Sequence, residues 1–131
     1  MRAVVAGVVT AVVLTGCAAA QDGAVESAAA QFADAVTQGD GSAACRLLAP
    51  RTKSELEASA GEPCRASVVQ EMESRPGGPQ SEGVEVFGTA ARVRTGRDTI
   101  FLARFQGGWK VSAAGCTTTP SGIYECVLKG S

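Results

Sequence analysis

The stretch Gly83–Ala113, GVEVFGTAARVRTGRDTIFLARFQGGWKVSA, decides the fold. It contains four short runs rich in β-branched or aromatic residues: Gly83–Phe87, Ala90–Arg94, Thr99–Phe105 and Trp109–Ala113. The breaks between them are Gly88-Thr89, Thr95-Gly96-Arg97 and Gln106-Gly107-Gly108. Connections this short join antiparallel neighbours, so the stretch reads as a β-meander. Ala91 and Val93 alternate with Arg92 and Arg94, and Trp109, Val111 and Ala113 fall on one side of the last run. Side chains alternate across a strand, so one face of this sheet is apolar and needs a cover.

The cover lies upstream. Glu73–Ser81, ESRPGGPQS, is a proline and glycine cluster, and before it the apolar period is helical. From Glu26 to Gln38, residues Ala29, Phe32, Ala33 and Val36 recur at the spacing of one helical face, and Gly39-Asp40-Gly41 ends the pattern. Ser42 is a cap for a second helix through Ala49, stopped by Pro50. Thr52-Lys53-Ser54-Glu55 has the spacing of a capping box for a third helix ending near Gly61. Pro63 suits the first position of a fourth, with Val68, Val69 and Met72 as its apolar contacts. Helices followed by strands, without βαβ alternation or an internal repeat, define an α+β domain over residues 26–131.

The amino terminus is of another kind. Met1-Arg2 carries one positive side chain, and Ala3–Leu14 follows without a charge, as in a secretory signal. The run is shorter than the roughly 20 apolar residues of a transmembrane span. Leu14-Thr15-Gly16-Cys17 resembles the lipobox of bacterial lipoproteins. That resemblance implies a signal peptide of residues 1–16, palmitate or a similar acyl chain on Cys17, and an extracytoplasmic, lipid-anchored location at the cell membrane. Residues 17–25 then form a tether that holds the domain within roughly 30 Å of its anchor. The other reading is a secreted chain cut after Ala20, the last of three alanines suited to signal peptidase.

Either cut leaves Cys45, Cys64, Cys116 and Cys126, an even set in an exported chain, where disulfides persist. Of the three possible connectivities, Cys45 with Cys64 and Cys116 with Cys126 ties neighbouring segments within each half of the chain. A zinc site is disfavoured, because there is no CxxC pair and no histidine.

The absence of histidine also removes the commonest general base and the usual nucleophilic triads. No phosphate loop or nucleophile elbow occurs, and no cofactor is implied. The net charge is −1, with no long run of one sign, so nucleic acid is not an expected partner. Charge is nonetheless unevenly spread: residues 18–91 carry 5 basic and 11 acidic side chains, residues 92–131 carry 6 and 2. Arg92, Arg94 and Arg104 suit either a solvated sheet face or contact with an anionic partner. The carboxylates open to catalysis are Asp34, one position off the Phe32 and Val36 face, and Asp98, at a turn where aspartate is favoured for geometry alone.

Helices first, then a meander with Gly107-Gly108-Trp109-Lys110-Val111 on the last strand, then Ala113-Ala114-Gly115-Cys116, resembles small actinobacterial lipoproteins of the nuclear transport factor 2 like superfamily. The resemblance spans about Glu26–Leu128 and implies a cone-shaped, cystatin-like fold, with helices packed on a curved, mainly antiparallel sheet around a pocket. Superfamily members include isomerases, dehydratases and pure binding modules, so the fold does not choose the function. Phe32 stands where a phenolic donor sits in the ketosteroid isomerase-like members, and Tyr124 falls in the terminal cysteine loop, so no catalytic position carries over.

The expected function is a non-catalytic binding module for a small apolar ligand or a neighbouring envelope protein, with Phe32, Val36, Phe101 and Trp109 lining the pocket. Plain core packing accounts for the same four residues. The alternative is an atypical isomerase- or dehydratase-like enzyme with Asp34 or Asp98 as a pocket carboxylate.

Overall fold

A computed structural model describes residues 16–73, 81–96 and 98–130. The expected signal peptide, apart from Gly16, lies outside these residues. Four helices come first: α1 (Gly16–Thr37), α2 (Gly41–Leu47), α3 (Pro50–Ala60) and α4 (Cys64–Glu73). Five strands follow: β1 (Ser81–Phe87), β2 (Ala90–Thr95), β3 (Thr99–Phe105), β4 (Gly108–Thr118) and β5 (Tyr124–Lys129). They form one antiparallel sheet in sequential order, so the chain is an α+β protein.

Alternation works as the sequence suggests on the first three strands. Val84 pairs with Val93, Val86 with Ala91, Ala91 with Leu102 and Val93 with Ile100, placing all of these on the helix-covered face. On the opposite face Glu85 pairs with Arg92 and Arg92 with Phe101. The helices close the inner face with Val25, Ala29, Phe32, Leu48, Leu56, Val68 and Met72, which join the sheet residues in one core. Burying a side chain such as Phe32 or Val68 completely contributes about 1.5–3 kcal/mol each.

β4 breaks the alternation. Its register with β3 slips between Phe101 and Leu102, so Ala113 pairs with Phe101 on the outer face while Ala114 is fully buried. The expected apolar side of Trp109, Val111 and Ala113 is therefore Trp109, Val111 and Ala114. Gly115 allows the bend with a φ of 66°. Beyond it β4 runs to Thr118, and the segment containing Tyr124, expected as a loop, is β5.

The helix starts also differ from expectation. α1 begins at Gly16, so residues 17–25 are helical where an irregular tether was expected; Ala18-Ala19-Ala20 are strong helix formers. Gly16–Ala24 is exposed apart from the half-buried Gln21, and Val25 is the first fully buried side chain. The cap of α2 is Asp40, which accepts from the Ala43 N–H at 2.9 Å, and not Ser42. α3 starts on Pro50, so Thr52 lies inside it and is no cap; its buried hydroxyl donates to the Ser112 carbonyl at 2.8 Å and fastens α3 to β4. Before α4, the Cys64 N–H donates to Glu57 Oε1 at 3.0 Å.

The disulfides follow the expected connectivity. Cys45–Cys64 joins α2 to α4, and Cys116–Cys126 crosses between the paired strands β4 and β5. α2 and α4 approach so closely that a Cβ on Gly41 would lie 2.1 Å from the Arg65 carbonyl oxygen.

Candidate functional site

Between the end of α1, the end of α4 and the start of β3 lies a cavity of about 340 Å³, open to solvent on one side. Its apolar wall is Phe32, Ala33 and Val36 from α1, Val69 and Met72 from α4, and Ile100 from β3. The helical spacing of Phe32, Ala33 and Val36 puts them along one edge, while inward alternation on β3 supplies Ile100. Thr37, Gly39, Glu73 and Asp98 complete the lining.

Asp98 is the unusual member. It sits in the β2–β3 connection yet is only 4% exposed. Its Oδ1 accepts from the Cys116 N–H at 2.6 Å and its Oδ2 from the Gly115 N–H at 3.2 Å. Those donors lie where Gly115 turns β4, so the carboxylate satisfies two buried backbone groups at the irregular stretch of strand. The Asp98 carbonyl in turn accepts from the Thr95 N–H at 2.8 Å, closing the turn. The sequence signal for turn geometry was therefore correct but incomplete, because the partners of the side chain are 17 and 18 residues away.

Of the four residues expected to line a pocket, Phe32 and Val36 meet in this cavity. Trp109 is buried in the core and is not among the lining residues. Phe101 lies on the far face of the sheet, where its ring meets Tyr124 edge-on with centroids 5.0 Å apart. Arg92 donates there to Tyr124 Oη at 3.2 Å and forms an ion pair with Glu85, which holds its guanidinium pKa above the ordinary value. Val69, Met72 and Ile100 were missed as pocket residues. Their apolar character marked them as interior, but only the way α1, α4 and β3 come together leaves space beside them.

Asp34 is exposed and lines a separate depression with Gln31, Asp40, Arg46 and Lys110. It does not approach the apolar cavity. The exposed aromatic residues are Phe87 and Phe105, 63% and 44% accessible, at the ends of β1 and β3. Cys17 is an exposed free thiol in the first turn of α1.

Among the described residues no group of three or more His, Cys, Asp or Glu side chains is arranged to hold a metal. No described helix is long and apolar enough to cross a membrane. Comparison with protein-family models, curated proteins and solved structures finds no match for this chain.

Proposed function

We propose that this chain is an exported envelope lipoprotein whose α+β domain is a non-catalytic binding module for a small apolar ligand, with membrane attachment through Cys17. The observation that carries the binding role is the cavity of about 340 Å³ walled by Phe32, Val36, Val69, Met72 and Ile100. Its volume falls in the range of small-molecule sites, and its walls follow their usual chemistry of apolar side chains with a few polar groups. The lipobox-like Leu14–Cys17 supports the anchor, and exposure of Cys17 leaves its thiol open to an acyl chain. Val25 lies eight helical steps beyond Cys17, so α1 would act as a stiff stalk of about 12 Å in place of a slack tether. The order of helices and strands also fits the proposed relationship to the nuclear transport factor 2 like superfamily.

Asp98 favours one second reading, the isomerase- or dehydratase-like enzyme, because it brings a carboxylate to an apolar cavity. Its two oxygens already serve backbone N–H groups, and the chain has no histidine to share proton transfer. The binding reading needs neither.

Native mass spectrometry of the chain, exported through an oxidising compartment, tests the proposal. A discrete adduct that leaves on denaturation, and that is lost when Val36→Trp narrows the cavity, is the expected result. A bare polypeptide mass that persists after incubation with envelope extract would count against it.

A further inference from the structure

The meander turns twice at one end of the sheet, from β1 to β2 and from β3 to β4, and twice at the other. The first end carries Phe87 and Phe105, 63% and 44% exposed. Phe87 pairs with Ala90 and Ala90 with Ala103, so these three share the outer face, and Phe105 follows Ala103 by two residues on the same side. Strand spacing sets the two phenylalanines about 12 Å apart, with the small side chains of Ala90 and Ala103 between them. Both rings therefore stand at hairpin turns on the face opposite the helices.

The charge around them has one sign. Residues 86–91 and 100–111, which build the two hairpin tips, hold Arg104 and Lys110 and no carboxylate. Arg104 is exposed and has no ion-pair partner among the described residues, while Glu85, two residues before Phe87, is paired with Arg92. The amino terminus leads to the same side of the sheet. Glu26, Ala29 and Ala30 of α1 lie by Ser81, Val93 and Thr95 of β1 and β2, whereas Asp34 and Gln38 lie by Lys110 of β4. α1 thus crosses the sheet from β1 towards β4, and its exposed first turns, with Cys17, lead out past β1, the strand that ends in Phe87.

Resting on the proposed lipid anchor at Cys17, we propose that the Phe87 and Phe105 hairpins dock on an anionic lipid surface, with both rings in the interface and Arg104 among the headgroup phosphates. Apolar aromatic side chains beside unpaired basic ones suit that surface twice over, through burial of the rings and attraction to the phosphates. Docking also orients the domain. Asp98 and Ile100 of the apolar cavity belong to the opposite end of the sheet, so the cavity lies remote from the lipid.

Two variants that each add a tryptophan test this: Phe87→Trp at the docking end, and Ile123→Trp at the opposite end, where Ile123 is 65% exposed. The full chain, exported with its disulfides formed, is titrated with vesicles of brominated phosphatidylcholine, alone or mixed with phosphatidylglycerol, and read against the parent chain with its buried Trp109. Mixed vesicles are expected to blue-shift and quench the indole added by Phe87→Trp and to leave that of Ile123→Trp unchanged. Adding Arg104→Gln to Phe87→Trp should raise the lipid needed for half-quenching about fivefold in mixed vesicles and leave it unchanged in neutral ones. A chain that sediments with the vesicles while both indoles stay unquenched, or are quenched alike, overturns the docking and leaves the anchor standing. An indole from Phe87→Trp that is shielded from iodide without lipid, and uncovered on dilution, assigns this surface to a second copy of the chain and overturns the lipid contact. Failure to sediment with either kind of vesicle overturns the anchor and the docking together.

Discussion

Removing the Asp98 carboxylate has a cost that can be worked from its contacts. In Asp98→Ala the Gly115 and Cys116 N–H groups lose their acceptors at 3.2 and 2.6 Å in a buried setting. Leaving a buried donor unsatisfied costs about 1–3 kcal/mol, so the pair predicts a loss of roughly 2–6 kcal/mol. That is a large part of the 5–15 kcal/mol typical of a domain. Trp109 is the single tryptophan and is buried, so its fluorescence reports unfolding in urea directly. With an ordinary urea dependence the midpoint should fall by about 1–3 M at an unchanged slope. Asp98→Asn keeps one acceptor oxygen and should recover about half of the loss. A midpoint for Asp98→Ala within about 0.3 M of the parent chain would refute the reasoning, since it would mean that the carboxylate does not hold the bend in β4.

Other substitutions probe separate parts of the fold. Gly41→Ala sets a methyl group against the Arg65 carbonyl and should cost about 1–3 kcal/mol by forcing α2 from α4, read from the same urea midpoint. Replacing both cysteines of either bridge by alanine should cost about 3 kcal/mol on the loop-entropy model, slightly more for the 19-residue separation of Cys45–Cys64 than for the 10-residue separation of Cys116–Cys126, as measured by calorimetric melting. Tyr124→Leu removes the edge-on contact with Phe101 on the outer face and should cost about 0.5–1.5 kcal/mol in thermal melts, without altering ligand binding at the cavity.

The parts of this fold legible in the sequence are those governed by local pattern. The glycine turns of the meander, the helical spacing of Phe32 and Val36, and the short-range cysteine pairs each depend on residues close in the chain. What escaped depends on distant partners. The register slip beside Phe101 moves Ala114 inward in place of Ala113, and no period within β4 announces it. β5 was hidden because Thr117-Thr118-Thr119-Pro120-Ser121-Gly122 reads as loop, and its strand character comes from pairing with β4.

The site shows the same division. Phe32 and Val36 follow from helical periodicity, whereas the places of Phe101 and Trp109 depend on how the sheet meets the helices. Alternation places Phe101 opposite the helices, and close packing absorbs Trp109 into the core. Asp98 looked like an ordinary turn residue because its reason for burial, the backbone at Gly115 and Cys116, lies across the sheet.

The occupancy of the apolar cavity is tested most directly at Met72. The chain has two methionines, of which Met72 lines the cavity and Met1 lies outside the described residues. Labelling their methyl groups with carbon-13 gives an isolated reporter of the site. Titration with phenethyl alcohol should shift the Met72 signal saturably in the parent chain and leave it in place in Val36→Trp. A Met72 signal that does not move, or that moves equally in both chains, would contradict a ligand-binding cavity between α1, α4 and β3.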